Sequence, residues 1–244
     1  MLSRITKPIP GLFITGTDTG VGKTVIAAAI ANHFKRRGMR VGVSKPIATG
    51  CVHRREGLVS EDAEFLAHHA DSSVALDVIC PQRFAEPLAP AVAAERAGEE
   101  IDWPLIDRSI AEISSQCDVL IVEGVGGVLV PLDEQHLVLD MARWLSLPTI
   151  IVARPGLGTI NHTLLTALAL RGAGVPLAGI VINQYPAEMP GVAEETNPQV
   201  IEQWSSLPVL CLAPLFDGAP GARLPADFVA VIDAVDWAER AMRR

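Results

Sequence analysis

The sequence predicts an α/β fold, a single domain in which a mostly parallel β-sheet is flanked by helices. Short, continuous apolar runs, typical of strands buried on both faces, alternate along the chain with helical stretches. The 244 residues are 49% hydrophobic with a mean hydropathy of +0.32, which is ample material for a large core. Because no composition shift or internal repeat divides the chain, we expect residues 1–244 to form one domain.

Six apolar runs are the candidate strands of the sheet. They end in polar or glycine-containing segments, which are typical of the turns that lead from a strand to a helix. In chain order they are Phe13–Thr15, Arg40–Ser44, Asp118–Val122, Pro148–Ala153, Leu177–Ile182 and Pro208–Leu212. Parallel pairing of such strands requires crossover connections, which we expect to be right-handed.

The segments between the strands carry helix start and stop signals. Ser60 and Asp102 are suited to cap helices, because their side-chain oxygens accept hydrogen bonds from first-turn N–H groups. Gly38 is suited to end the first helix. The predicted helices run from Val25 to about Arg37 and over Glu61–His69, Ile101–Gln116, Leu137–Leu145 and Thr159–Arg171.

Charge and cysteine content exclude several classes of partner. The net charge is −8 and the sequence pI is near 5.2, which disfavours non-specific binding to nucleic acid or anionic membrane. No apolar run approaches the roughly 18 residues of a membrane-spanning helix, and residues 1–10 do not resemble a signal peptide. The four cysteines are isolated and read as reduced thiols. We expect a cytoplasmic protein without nucleic-acid or membrane partners.

A glycine-rich turn, Ile14-Thr-Gly-Thr-Asp-Thr-Gly-Val-Gly-Lys-Thr24, joins the first strand to the first helix. This layout is that of a P-loop, in which backbone N–H groups and the helix dipole hold nucleotide phosphates. Lys23 would reach the terminal phosphates, and the Thr24 hydroxyl would bind their Mg²⁺. Five residues, rather than the usual four, separate Gly16 from Gly22. A chance Gly-Lys-Thr in an ordinary turn is the alternative, which the flanking strand and helix disfavour.

Ligands in open parallel sheets bind at the carboxyl ends of the strands, so the residues there are candidates for chemistry. Lys45 follows the second strand and would neutralise charge on a transferring phosphoryl group, unless it is an ordinary surface lysine. Glu123 follows the third strand at the usual second magnesium position, although a structural carboxylate is the alternative. Asp62 stands at a predicted helix start, where it would equally well stabilise the helix dipole.

Two further strand ends carry binding signals. The Gly156–Asn161 segment is glycine-rich and opens a helix, which suits a carboxylate or a phosphate. Asn183 follows the Leu177–Ile182 strand and is well placed to contact an adenine edge.

The ordered set of motifs resembles the dethiobiotin synthetase family of P-loop NTPases. The five-residue spacing of the loop is this family's own form, and the resemblance spans about residues 11–215. The matching segments are Gly16–Thr24, Lys45–Gly50, Asp62-Ala63, Glu123–Gly127 with Pro131-Leu132, Leu157–Leu165 and Gly179–Asn183. The sequence departs from the family at Pro87–Ala91, which lacks a serine and a histidine, and at Gly20, which replaces a glutamate of some members.

The resemblance implies an ATP- and Mg²⁺-dependent ligase of biotin biosynthesis. Such an enzyme adds CO₂ to 7,8-diaminopelargonate (7,8-diaminononanoate), phosphorylates the resulting carbamate with ATP, and closes the cyclic urea of dethiobiotin with release of ADP and phosphate. Because a carbamate oxygen is a weak nucleophile, catalysis would consist mainly of positioning and charge stabilisation. The resemblance also implies a homodimer with the substrate site at its interface.

The resemblance assigns roles to individual residues of this sequence. Lys45 and Lys23 are the implied catalytic residues, and Thr24, Asp62 and Glu123 are the implied Mg²⁺ ligands. The implied nucleotide-binding residues are Gly20, Val21, Gly22, Lys23, Thr24, Val25, Asp62, Glu123, Gly124, Val125, Gly126, Asn183, Ala213, Pro214 and Leu215. The implied substrate-binding residues are Thr49, Thr19, Gly156, Leu157, Gly158 and Asn161.

Three other interpretations share parts of this pattern. A switch ATPase of the partition or division-site type would have a second lysine near the start of its loop, which Asp18–Lys23 lacks. An amide-forming ligase of the cobyrinate type would need a glutaminase domain, for which 244 residues leave no room. A nucleotide-binding protein without catalysis remains the third.

Overall fold

The computed structural model describes residues 9–55, 57–186, 188–216, 218 and 221–242. Residues 1–8 lie outside this description, as does part of the Pro- and Gly-rich segment 217–223, which the sequence predicts to be a surface loop. The strands are β1 Gly11–Gly16, β2 Val41–Ser44, β3 Ile47–Thr49, β4 Val52–Arg54, β5 Gly57–Val59, β6 Gln82–Phe84, β7 Val119–Gly127, β8 Thr149–Ala153, β9 Leu177–Tyr185 and β10 Val209–Pro214. The helices are α1 Lys23–Arg36, α2 Glu61–Ala70, α3 Leu76–Ile79, α4 Pro90–Ala97, α5 Trp103–Gln116, α6 Val138–Leu145, α7 Thr159–Gly172, α8 Val192–Ser205, α9 Ala226–Asp233 and α10 Trp237–Met242.

Six of the strands form one sheet in the order β10-β9-β8-β1-β7-β2, and every pair in it is parallel. These are the six strands that the apolar runs predict, so the predicted α/β class is confirmed. The carboxyl ends of β1, β2, β7, β8 and β9 therefore meet at one edge of the sheet.

Alternate residues of each central strand pack into two separate cores, because side chains alternate between the faces of a sheet. Leu12 and Ile14 of β1 face one core with α1, α2, α9 and α10. Phe13 faces the other core with α5, α6 and α7. Continuous apolar strands are thus explained by burial on both faces.

The structure confirms two predicted helix N-caps and extends two of the predicted strands. The Ser60 hydroxyl accepts a hydrogen bond from Ala63 N, and the Asp102 carboxylate from Leu105 N, so both predicted N-caps are confirmed. Strand β7 continues to Gly127 and β9 to Tyr185, beyond the predicted ends.

Several elements escaped the sequence prediction. The Pro- and Gly-containing sequence of residues 186–196 predicts a surface loop, but α8 begins at Val192 and contains Pro198. Packing of α8 against α7 outweighs the poor helix propensity of that segment. The helices α4, α9 and α10 and two small sheets, β3 with β6 and β4 with β5, were also missed. Within the described residues, no helix combines the length and the apolar character that a bilayer crossing requires.

Candidate active site

The glycine-rich loop closes onto the amino end of α1 with backbone conformations that require glycine. Gly20 has φ +73° and Gly22 has φ +86°, both in the left-handed region. A Cβ atom on Gly22 would lie 2.0 Å from the amide nitrogen of Asn183. No side chain caps α1 at Gly22, so its first N–H groups remain available for an anion.

Amide side chains at the end of β9 hold this loop from behind. Asn183 Nδ2 donates to the carbonyl oxygen of Val21 at 3.0 Å, and Gln184 Nε2 donates to that of Gly20 at 3.0 Å. Asn183 is buried, and its Oδ1 atom has no hydrogen-bond partner. Asn183 therefore lies beside the phosphate loop, while its predicted contact with adenine stays a prediction.

A cluster of opposite charges lies at the same edge of the sheet. The ammonium group of Lys45 donates to Glu123 Oε1 at 2.5 Å and lies 2.8 Å from Asp62 Oδ2. It also donates to the carbonyl oxygen of Gly124 at 3.2 Å. The hydroxyl of Thr24 is 3.0 Å from Asp62 Oδ1 and 2.8 Å from Glu123 Oε1. We call Thr24, Lys45, Asp62 and Glu123 the charged cluster.

Lys45 is 3% exposed, which excludes the alternative that it is an ordinary surface lysine. Burial opposes a charge on Lys45, but the Glu123 and Asp62 carboxylates outweigh it and raise the pKa of the ammonium. The Lys45 charge and hydrogen bonds lower the pKa of Asp62. Burial raises the pKa of Glu123, so this carboxylate depends on nearby cations to stay ionised.

Lys23 is the second buried cation of the site. Its ammonium donates to the carbonyl oxygen of Asp18 at 2.8 Å, within the loop itself. Burial, together with repulsion from Lys45, lowers the pKa of Lys23 to about 8. In the free chain, Lys23 is thus a cation that gains stabilisation from an added anion.

The donor set of the charged cluster fits Mg²⁺. The hydroxyl of Thr24 and the carboxylates of Asp62 and Glu123 are the hard oxygen ligands that this ion prefers. Glu123 Oε2 is buried and has no hydrogen-bond partner, as expected of an oxygen reserved for a ligand. Among the described residues, no group of three or more His, Cys, Asp or Glu is placed to hold a metal.

One ion pair at the loop escaped the sequence analysis. Asp18 Oδ2 accepts from Arg154 Nη2 at 2.5 Å, and Asp18 Oδ1 accepts from the backbone N–H of Thr19. Arg154 is the first residue after β8. Its position directly after a parallel strand is the sequence signal that identifies it as a candidate site residue.

The other predicted nucleotide residues lie in or beside β7, β10 and the start of α1. Ala213 is buried at the end of β10, Pro214 pairs with Tyr185, and Leu215 is 65% exposed. A Cβ atom on Gly126, at φ +60°, would lie 3.7 Å from the Thr19 hydroxyl. Val21 belongs to the loop and Val25 to the first turn of α1, while Gly124 and Val125 belong to β7.

The predicted substrate residues divide into two groups. Thr19 belongs to the phosphate loop, and Thr49 ends β3 with a half-buried side chain. The start of α7 instead faces outward: Leu157 is 96% exposed, Asn161 is exposed, and Gly158 has φ +92° without a side-chain cap. Asn197 of α8 fixes this turn through its hydrogen bond to Pro155 O. A single copy of the chain leaves this helix start open.

The parallel sheet, the glycine-rich loop and the Lys23–Thr24 helix start define a P-loop nucleotide-binding protein, and a family model described as an AAA domain matches residues 10–217. An ATP-dependent dethiobiotin synthetase BioD of Thermodesulfovibrio yellowstonii is 40% identical over 84% of this chain and 88% of its own. One of Bacillus cereus is 43% identical over 85% and 84%. The chain belongs to the ATP-dependent dethiobiotin synthetase family, as the motifs predict.

Solved structures with the same fold are more distant in sequence. The cell division ATPase MinD of Pyrococcus furiosus matches with a TM-score of 0.54 and 17% identity, covering 95% of this chain and 98% of its own. The Mg-ADP complex of MinD from Pyrococcus horikoshii matches with a TM-score of 0.55 and 15% identity, covering 96% of both chains. At these identities the likeness concerns the fold alone.

Proposed function

We propose that this chain catalyses the ATP-dependent carboxylation and ring closure of 7,8-diaminopelargonate to dethiobiotin, with release of ADP and phosphate. One amine attacks CO₂ and loses a proton to give a carbamate. A carbamate oxygen then attacks the γ-phosphorus of ATP, and ADP leaves. The second amine attacks the carbamoyl carbon, loses a proton and displaces phosphate, which closes the cyclic urea. The chain is an ATP-dependent ligase of this family.

The observation that carries the proposal is a second buried lysine beside the phosphate loop. A nucleotide-binding protein needs only Lys23, whereas Lys45 adds a fixed charge next to Glu123. Two ammonium groups suit two anions that must approach each other, the γ-phosphate and the carbamate. In this role Lys23 and Lys45 are the catalytic residues, and they act by positioning and charge stabilisation.

Thr24, Asp62 and Glu123 would hold Mg²⁺. When bound, the ion neutralises charge on the ATP phosphates. Thr24 is oriented toward both carboxylates by its hydrogen bonds, and the charge of Lys45 lowers the pKa of Asp62. Residues Gly20–Val25 and Gly124–Gly126 would surround the phosphates, while Asn183 and Ala213–Leu215 would contact the adenine.

The diamine would bind between two copies of the chain. Thr19 and Thr49 would face its reacting end, and the helix start of Gly156, Leu157, Gly158 and Asn161 from the other copy would hold its carboxylate. The outer face of α7 supports a homodimer, because Leu165 and Leu168 are 56% and 64% exposed. The four cysteines are unpaired, which supports a role in the reducing cytoplasm.

The reaction provides a direct test. Purified protein with ATP, Mg²⁺, bicarbonate and 7,8-diaminopelargonate should release ADP and form dethiobiotin. A coupled assay measures the ADP, and mass spectrometry detects the dethiobiotin. Both products should require the diamine. ADP release that is equally fast without the diamine would exclude the ligase reaction and favour a simple ATPase.

A further inference from the structure

A cavity on the outer surface of α5 and α6 lies apart from every residue assigned above. Its volume is about 450 Å³, within the range of about 300–1,000 Å³ typical of small-molecule sites. Its lining includes Trp103, Asp107, His136, Asp140, Met141 and Trp144. We call it the tryptophan cavity.

Each of the two helices contributes one tryptophan and one aspartate to the wall of the cavity. Trp103 and Asp107 are four residues apart on α5, and Asp140 and Trp144 are four residues apart on α6. Residues at this spacing share one face of a helix. Each wall therefore presents one indole ring and one carboxylate, and the buried Met141 contributes to the lining between them.

Asp133 orients the aromatic part of the cavity before any ligand arrives. Trp103 Nε1 donates to Asp133 Oδ2 at 2.6 Å, and His136 Nδ1 lies 2.9 Å from both carboxylate oxygens of Asp133. The rings of Trp103 and His136 meet edge to face with centroids 5.1 Å apart.

These features select the charge of the ligand. Indole faces attract cations, carboxylates attract them further, and the described lining contains no lysine or arginine. We propose that the tryptophan cavity binds a small aliphatic ammonium ion, held between the Trp103 and Trp144 rings with Asp107 and Asp140 as counter-charges. This site is independent of the ligase reaction.

The test compares two probes of nearly the same shape. Choline carries a quaternary ammonium, whereas 3,3-dimethylbutan-1-ol is its neutral isostere. Isothermal titration of the full chain should give one choline site and at least about tenfold weaker binding of the alcohol. Equal binding of both probes, or no choline binding in the millimolar range, would overturn the proposal.

Variants locate the site. Trp144→Ala and the nearly isosteric Asp107→Asn should each weaken choline binding about fivefold or more, with dethiobiotin formation retained as evidence of folding. Glu112→Gln makes the same charge change on exposed α5 surface outside the cavity and should leave choline binding unchanged. Should Trp144→Ala not fold, Asp107→Asn decides alone. Unchanged binding in Asp107→Asn, or equal losses in Asp107→Asn and Glu112→Gln, would also reject the site.

Discussion

Lys45 places a positive charge between the Asp62 and Glu123 carboxylates of the charged cluster. Its ammonium lies within 2.8 Å of both carboxylates of the charged cluster, and the Glu123 side chain is buried with it. The Asp62 and Glu123 carboxylates, which both approach this one ammonium group, would repel each other without a cation between them. In the reaction we propose, the charge of bound Mg²⁺ would share that task.

Replacement of Lys45 by alanine should therefore affect both stability and turnover. We expect a loss of about 3 kcal/mol in the free energy of unfolding, because a buried ion pair loses one partner. Dethiobiotin formation should fall at least about 100-fold, as expected for a lost electrostatic contact to the reacting groups. Mg²⁺ should raise the melting temperature of Lys45→Ala more than that of the parent, because the ion replaces the missing positive charge.

Lys35→Ala is the matched control, since the ion pair of Lys35 with Asp71 is largely exposed. It should change neither property measurably. Wild-type turnover in Lys45→Ala would leave nucleotide binding as the only role of the site.

The lowered pKa of Lys23 predicts proton uptake when ATP binds. In the free chain this pKa is about 8, and bound phosphate would raise it by supplying the opposite charge. At pH 8.5 most Lys23 side chains are neutral, so MgATP binding should take up about three quarters of a proton, and at pH 7 only about a tenth. ATP affinity should accordingly fall as the pH rises through 8.

Calorimetry in buffers with different ionisation enthalpies measures this uptake. In Lys23→Arg the guanidinium is always protonated, so any remaining ATP binding should proceed without proton uptake. Absence of uptake by the parent protein at pH 8.5 would mean that Lys23 is already charged in the free chain.

At the scale of elements, the strand ends were the most informative part of the sequence. Parallel strands bring their carboxyl ends to one edge, so Lys45 after β2 and Glu123 in β7 meet although 78 residues separate them. The hydrogen bond of Lys23 to its own loop and the Arg154–Asp18 pair depend on side-chain orientation, which no periodicity encodes. Helices α8 to α10 were missed because packing, rather than propensity, stabilises such segments.

The N-cap of α2 links an element boundary to the charged cluster. Ser60 caps the helix whose second residue is Asp62, so loss of the cap should loosen that carboxylate. We expect Ser60→Ala to cost about 1 kcal/mol in the free energy of unfolding. It should also raise the Mg²⁺ concentration needed for half-maximal turnover, measured by metal titration of the ligase assay.

Asp102→Ala is a control of the same kind at another helix. Asp102 caps α5 through Leu105 N at 2.8 Å, and we assign α5 no residue of the active site. This variant should lose similar stability with an unchanged Mg²⁺ requirement. An equal shift of the requirement in both variants would attribute it to general destabilisation.

At the scale of the whole molecule, two hydrophobic cores enclose the sheet. Helix α7 also carries apolar side chains that neither core buries. Thr163, Ala167 and Leu170 of α7 face the interior, whereas Leu165 and Leu168 face outward. Sequence alone predicts the helix, but not which of its apolar residues remain uncovered in one copy. The uncovered face continues to Leu157 at the helix start, where we place the substrate carboxylate.

A site shared between two copies makes a prediction that no single-chain site can meet. Lys45→Ala disables the phosphate side of a shared site, and Asn161→Ala disables the helix start that the other copy would contribute. Each variant alone should form dethiobiotin poorly. In a refolded equimolar mixture, half the dimers are mixed and each holds one intact site, so about a quarter of the parent activity should return.

The reference experiment mixes the double variant Lys45→Ala/Asn161→Ala with the parent in the same ratio. If each site lies within one copy of the chain, the mixed dimers of this sample also keep one intact site. Sedimentation should show dimers in all samples, and a mixture of the two single variants no more active than either alone would place the whole site within one chain.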